Sequence, residues 1–276
     1  VAILRSGLKE NFPYSLSRWT DVPISKWDWF KTALKDGKML GISPESGVPS
    51  YWSLRPEDTL GLLFWTKDPT NLLKDYKLFE KYLVKVHFTI TGWHEVERNA
   101  PKLEKCLPIL KELALTFFPS NVYWRFSPIP MVADVVERFK SIAEAAAEAK
   151  LGRVYVSFLQ HNDLLPETRS STERLDILSQ MAEVASPLGV SVLLCNEDQT
   201  LGKLSNQNLG AGVCAPPEDF KLPGRGIPSS EGCGCALMVD PFTPNETCRL
   251  SCEYCYAADR SLSPQRRSTT KLPVIS

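Results

Sequence analysis

The side chains with the strongest chemical promise lie near the end of the chain. Cys248, Cys252 and Cys255 stand in CRLSCEYCYA (248–257) at CxxxCxxC spacing, and Tyr254 and Tyr256 flank the last of them. Cys233 and Cys235 form a CGC upstream, separated from Cys248 by a spacer of twelve residues. Of eight cysteines, five fall between 233 and 255, a density that reads as metal ligation rather than disulfide bonding. Two chemistries fit. Zinc takes four tetrahedral ligands, and five thiols are on offer, but only Cys252 and Cys255 form the paired CxxC turn such sites favour. Alternatively, three thiolates hold three irons of a [4Fe–4S] cluster and leave the fourth iron open to an outside ligand. Cys233 and Cys235 can then ligate a second centre, complete a zinc site or resolve redox chemistry. Cys106, Cys195 and Cys214 lie outside this cluster, and Cys106 reads as a small apolar core residue.

A second group of polar residues follows short apolar runs: Ser17-Arg18-Trp19-Thr20-Asp21, Trp65-Thr66-Lys67, Thr89 to Thr91, Trp124-Arg125-Phe126, Gln160-His161 and Cys195-Asn196-Glu197. In a parallel barrel such positions converge on one mouth. Arg18, Lys67 and Arg125 are able to hold a carboxylate or phosphate through charge-assisted bonds, and with Asp21 they are the candidate catalytic residues. Asp21 and Asp68 also stand just before Val22-Pro23 and Pro69, where helix-capping aspartates belong. Arg125 sits inside an apolar strand and so requires a partner. The histidines are weaker signals. His87 alternates with Val86 and Phe88 and reads as a satisfied core residue, His94 and His161 follow strands, and no HExxH pair is present.

The elements that must position these groups alternate. Strand-like runs occur at 14–17, 61–66, 84–91, 122–127, 154–159 and 190–196. Helical patterns span 24–35, 68–82, 101–116, 131–149 and 171–186, the fourth with Val132, Val135, Val136, Phe139, Ile142 and Ala146 on one face. The segment 39–54 reads as a hairpin or insertion around Pro-Glu-Ser-Gly-Val-Pro. The strands are near-continuous apolar runs, as expected of parallel strands covered by helices. Six βα-like units predict an α/β fold, a TIM-like or partial parallel (β/α) barrel over 1–198 in preference to an open doubly wound sheet. Residues 199–276 form an irregular Cys-rich extension that metal ligation can order. No GxGxxG or GxxxxGK[ST] follows a strand, and no repeat is visible.

The 276 residues carry 32 Lys and Arg against 32 Asp and Glu, so nothing in the balance steers the chain toward nucleic acid or an acidic membrane surface. The basic stretch 260–271 reads as a solvated tail. No run reaches the roughly 18 apolar residues that span a bilayer, and no N-terminal pattern reads as a signal peptide. Reduced thiols then place the protein in the cytoplasm.

SRWTDVP (17–23), FWTKDP (64–69), WRFSP (124–128), CGC (233–235) and CRLSCEYCYA (248–257) together resemble an uncharacterised bacterial family, the domain-of-unknown-function family 1848. Its pattern departs here at Trp19, where arginine is usual, at Asp68 for asparagine, and at Ser127 for aspartate. CxxxCxxC with Tyr254 before the last cysteine also resembles the signature of radical S-adenosylmethionine (SAM) enzymes, whose motif ordinarily follows the first strand. The resemblance implies an iron–sulfur protein of radical-SAM type. A [4Fe–4S] cluster on Cys248, Cys252 and Cys255 would bind SAM, a one-electron reductant would feed it, and a small molecule or peptide of unassigned identity would be the substrate. The competing expectation is structural zinc, or an iron–sulfur centre for electron transfer, with the barrel mouth binding another ligand or a partner.

Overall fold

The computed structural model describes residues 8–44, 46–129, 134–159, 171–195, 208–222, 234–242, 247–255 and 257. Gln160, His161, Asn196, Glu197, the first residues of the helix expected at 131–149 and the basic stretch 260–271 lie outside them.

Seven strands form one parallel sheet: β1 (Phe12–Ser15), β4 (Thr59–Thr66), β5 (Val84–Thr89), β6 (Val122–Ile129), β7 (Arg153–Phe158), β8 (Ser191–Cys195) and β9 (Leu209–Gly212). They pair in that order, and between β1 and β4 the chain makes the antiparallel hairpin expected around 39–54, β2 (Lys38–Ile42) with β3 (Pro49–Ser53). Strand order follows chain order without the reversal that marks a doubly wound sheet. Of the expected TIM-like or partial barrel, the structure shows the α/β parallel sheet, which is not closed among the described residues. Among the described residues no continuous ladder joins β9 to β1. A short segment makes one bond to the chain after β9 and two to β1: Ala236 N–H donates to Ala215 O at 2.7 Å, Val239 N–H to Pro13 O at 3.0 Å, and Ser15 N–H to Val239 O at 2.9 Å. β9 itself was not expected. Its sequence, LGAG, lacks the branched and aromatic side chains that announce a strand, and its pairing with β8 supplies what its side chains do not.

The helices are α1 (Val22–Ser25), α2 (Trp27–Asp36), α3 (Thr70–Lys74), α4 (Leu103–Phe117), α5 (Val135–Glu148) and α6 (Ser171–Ala185). α2 buries Trp27, Phe30 and Ala33 at helical spacing and stops at Gly37, whose φ of 66° only glycine adopts cheaply. Alternation along each strand separates two faces. Phe64, Phe88, Trp124, Phe126, Val154 and Val192 join the core beneath the helices, where Trp124 and Phe126 meet Phe139 of α5 at 5.0 and 5.4 Å between ring centroids. The other face carries Trp65, Lys85, His87, Tyr123, Arg125 and Tyr155, aligned by register: Trp65 beside His87, His87 beside Tyr123, and Arg125 beside Tyr155. Leu63 on this face packs with Ala215, Phe220, Cys235, Ala236 and Met238 from the chain after β9. Both faces are thus covered, one by helices and one by the C-terminal chain. Among the described residues no helix is long and apolar enough to cross a membrane.

Candidate functional site

Lys67 stands just past the C-terminal end of β4, its side chain 11% exposed, and its Nζ donates to Glu97 Oε1 at 2.8 Å. Glu97 lies in the loop after β5, and the same oxygen accepts from Thr91 Oγ1 at 2.7 Å and from the Tyr254 hydroxyl. The Lys67 ammonium also sits 5.8 Å from the centroid of the Tyr254 ring. Burial pulls the Lys67 pKa down, but Glu97, Cys252 and Asp21 outweigh it and hold the amine above the usual lysine value, so it stays charged. Burial, then Glu97 and Cys252, push the Tyr254 phenol well up, so it stays protonated and keeps its donor.

Asp21 occupies the N-cap position of α1 but makes no side-chain cap bond there. Its carboxyl turns to β4 instead, accepting from Thr66 Oγ1 at 2.8 Å and from the Lys67 backbone N–H at 2.8 Å. Burial pushes its pKa up to about 7 against these hydrogen bonds. Asp68 accepts the Thr70 backbone N–H at 3.0 Å in an Asx-type turn leading into α3, whose N-cap residue is Pro69.

The cysteine loop is laid across these strand ends by its backbone. Glu253 N–H donates to Val96 O at 3.0 Å, Thr20 Oγ1 to Thr247 O at 2.9 Å, Asn99 Nδ2 to Arg249 O at 3.2 Å, and Arg249 N–H to Ser25 Oγ at 3.0 Å. Arg98 and Glu253 add an ion pair at 3.1 Å. Within the loop Ser251 adopts a φ of 48°, a left-handed conformation that costs a non-glycine residue about 1–2 kcal/mol and turns the chain between Cys248 and Cys252. Cys255 N–H then closes onto Cys252 O at 3.1 Å. Burial pushes the Cys252 thiol up to about 12, with Lys67 pulling it down and Glu97, Cys255 and Cys248 pushing it further up. Cys252 therefore feels both other sulfurs of the loop and the Lys67 ammonium. Among the described residues, no three His, Cys, Asp or Glu side chains are grouped so that they could hold one metal ion.

The structure brings Asp21, Lys67, Tyr254, Cys248, Cys252 and Cys255 together at the ends of β1, β4 and β5. It holds other candidates elsewhere. Arg18 Nη1 reaches Asp240 Oδ2 at 3.5 Å, with its guanidinium 5.1 Å from the Trp19 ring centroid. Arg125 donates to Ser127 Oγ at 3.2 Å, a hydroxyl at the position where the resemblance expects an aspartate, and also reaches the Cys195 side chain. Cys235 lies beside Cys214, the sulfurs 3.3 Å apart, and Cys233 is outside the described residues. His87 is fully buried and stacked on Trp65. His94 Nε2 accepts the Leu103 N–H at 3.3 Å, a cap for α4. Glu97 was not foreseen. Its signal was indirect: a lysine at a strand end needs a counter-charge, and Glu95 and Glu97 stand in the next loop along the strand order.

The family model for the domain of unknown function DUF1848 matches residues 14–257. The chain belongs to this family. The match spans every element of the DUF1848 sheet but the first residues of β1, and it takes in the cysteine loop, so sheet and loop belong to one family unit. No curated protein matches the chain.

Proposed function

We propose that this DUF1848 protein is an iron–sulfur enzyme of radical-SAM type, with a [4Fe–4S] cluster on Cys248, Cys252 and Cys255. The observation that carries the reading is the docking of the three-cysteine loop on the C-terminal ends of parallel strands, with the Lys67 ammonium close enough to act on the Cys252 thiol. The donor set suits the group: three soft thiols at the spacing of a cube with one open iron. A cluster takes each thiolate on a separate iron, so it does not ask the three sulfurs to surround one point, as a single zinc ion does. The loop is also fastened by its own hydrogen bonds and ion pair, so a metal whose only task is to pin the tail is not required. We read the sheet, with 236–240 laid across its gap, as a partial barrel whose mouth receives the substrate.

When bound, the cluster would supply the electron that cleaves SAM reductively and so generates a radical. The protein's own groups have separate tasks. Lys67 offsets the charge of buried thiolates. Glu97 fixes Lys67 and Tyr254 through one oxygen. Asp21, poised near neutrality, can hold or release a proton at its carboxyl next to the Lys67 backbone. Arg18, partly exposed at the rim, can receive a carboxylate or phosphate of SAM or of a small-molecule or peptide substrate. A one-electron reductant is the partner this chemistry demands, and the reduced thiols agree with a cytoplasmic setting.

The test is anaerobic purification followed by electron paramagnetic resonance of the reduced protein with and without SAM. A reduced-cluster signal that changes on adding SAM is the expected result. An unchanged cluster signal points to electron transfer without SAM, and stoichiometric zinc without iron points to a structural metal.

A further inference from the structure

Three cysteines that are far apart in sequence and outside the CxxxCxxC motif meet at the same end of the sheet. Cys195 is the last residue of β8 and pairs with Gly212 of β9. Cys214 follows β9 by two residues. Cys235 is adjacent to Ala236, whose N–H bonds to Ala215 O at 2.7 Å, so the two segments run side by side. The Cys214 and Cys235 sulfurs are 3.3 Å apart and not bonded, and the Cys195 thiol is hydrogen-bonded to Cys214. Arg125 reaches the Cys195 side chain and lies close enough to pull the Cys214 thiol down. His87 Nε2 meets Cys214 O at 2.6 Å. A carbonyl only accepts, so Nε2 carries the hydrogen and fixes the backbone at Cys214. Burial keeps His87 neutral, with a pKa lowered to about 3.

We propose that Cys214 and Cys235 form a two-electron dithiol–disulfide site, with Cys195 as a third thiol able to exchange onto Cys214. The inference stands apart from the iron–sulfur reading, because none of its three cysteines belongs to the CxxxCxxC loop. Cys235 and Cys195 are buried, while Cys214 is partly exposed, so Cys214 is the sulfur an outside reagent meets first. The oxidant is a disulfide, RS–SR. The Cys214 thiolate attacks one of its sulfurs, the S–S bond breaks, and one RS⁻ leaves. The Cys235 sulfur then attacks Cys214 in the mixed disulfide and expels the second RS⁻. The protein dithiol loses two electrons, the reagent gains them, and the two thiol protons end on two RSH. The product disulfide ties the chain after β9 covalently to the segment that hydrogen-bonds to β1 across the gap in the sheet.

At neutral pH the pair is not a fast nucleophile. The hydrogen bond from Cys195 pulls the Cys214 thiol down, but the bond to Cys235 and burial outweigh it and push it up to about 12. Exchange therefore accelerates as pH rises toward that value, because the thiolate is the attacking form.

The experiment equilibrates the full chain with glutathione and glutathione disulfide at a series of ratios. Free thiols are then alkylated and a peptide map records which cysteines are linked. The expected result is a Cys214–Cys235 linked peptide that has lost two hydrogens, reverts on reduction, titrates as a single two-electron transition and raises the thermal midpoint when formed. In Cys235→Ser the linked peptide becomes Cys195–Cys214, and in Cys214→Ser no link forms among the three. Independent alkylation of Cys214 and Cys235 at every ratio would overturn the proposal. So would protection of both thiols that a chelator abolishes, since that result assigns them to a metal. Iron content read on the same samples keeps the two readings separate: a linked peptide without iron fails only the iron–sulfur proposal, and iron without a linked peptide fails only this one.

Discussion

The two faces of the parallel sheet are built on opposite principles. Beneath the helices, Phe64, Trp124, Phe126 and Phe139 pack aromatic against aromatic with no charge among them. On the other face Lys85 pairs with Asp219 at 3.4 Å, Tyr123 donates to the same carboxylate, and Arg153 lies 5.3 Å from the Tyr123 ring centroid. At the rim of that face stand Lys67, Glu97 and two groups of thiols. Apolar packing is non-directional and tolerates almost any function above it. A buried polar network requires a partner for every group and so fixes a unique arrangement. The helix face is apolar packing, and the other face, with its rim, gathers the charged, phenolic and thiol groups.

The sharpest way to break this comparison is to remove one group from each side. Lys67→Met leaves the buried Glu97 carboxylate without its ion pair and is expected to cost about 3–5 kcal/mol in urea unfolding. Phe139→Ala, on the helix side, is expected to cost a similar ~3–5 kcal/mol by opening a cavity. The two should separate in a second readout: Lys67→Met lowers metal content at the cysteine loop, and Phe139→Ala, assayed where it remains folded, does not. Equal metal loss in both variants would remove the distinction.

Asp21 sharpens the comparison through pH. Its pKa rises from 3.8 to about 7 on folding. Between these values the native state keeps a proton that the unfolded state has lost, so stability falls as pH rises from about 4 to about 7 and then levels off. At 1.36 kcal/mol per unit, a rise from 3.8 to about 7 sets a ceiling on the order of 4 kcal/mol. Asp21→Asn should flatten this part of the pH profile in denaturant titrations. A wild-type profile that rises over the same interval, relative to Asp21→Asn, would contradict the burial assigned to Asp21.

Gly61 tests how tightly the C-terminal chain covers the second face. A Cβ there would come within 2.7 Å of Phe220 Cδ1, so Gly61→Ala must displace that ring, with an expected loss of about 1–3 kcal/mol. The smallest effect belongs to the exposed surface. The Lys111–Glu148 ion pair joins two largely solvated side chains, and Lys111→Met should change the unfolding free energy by no more than ~1 kcal/mol.

Legibility in the sequence divided along the same line. α5 could be read because Val135, Phe139, Ile142 and Ala146 repeat at helical steps and are buried in the structure. The hairpin could be read from its Pro and Gly residues. The second face could not, because its partners come from distant chain. The cation of Lys85 inside VKVHFT gave the same warning as Arg125, yet its carboxylate is Asp219, on a short turn after β9. Cys195, Cys214 and Cys235 looked unrelated because only tertiary pairing brings them together. At the candidate site the sequence pointed to Asp21, Lys67, Tyr254 and the three cysteines. It did not point to Glu97, which gathers Lys67, Thr91 and Tyr254 on one oxygen.

The central claim is that Cys248, Cys252 and Cys255 hold an iron–sulfur cluster. Its most direct test is iron, acid-labile sulfide and zinc analysis of anaerobically purified wild type beside Cys252→Ser and Cys214→Ser. The account predicts about four irons and four sulfides in wild type and in Cys214→Ser, and loss of both in Cys252→Ser. Zinc in place of iron, or iron retained in Cys252→Ser and lost in Cys214→Ser, would contradict it.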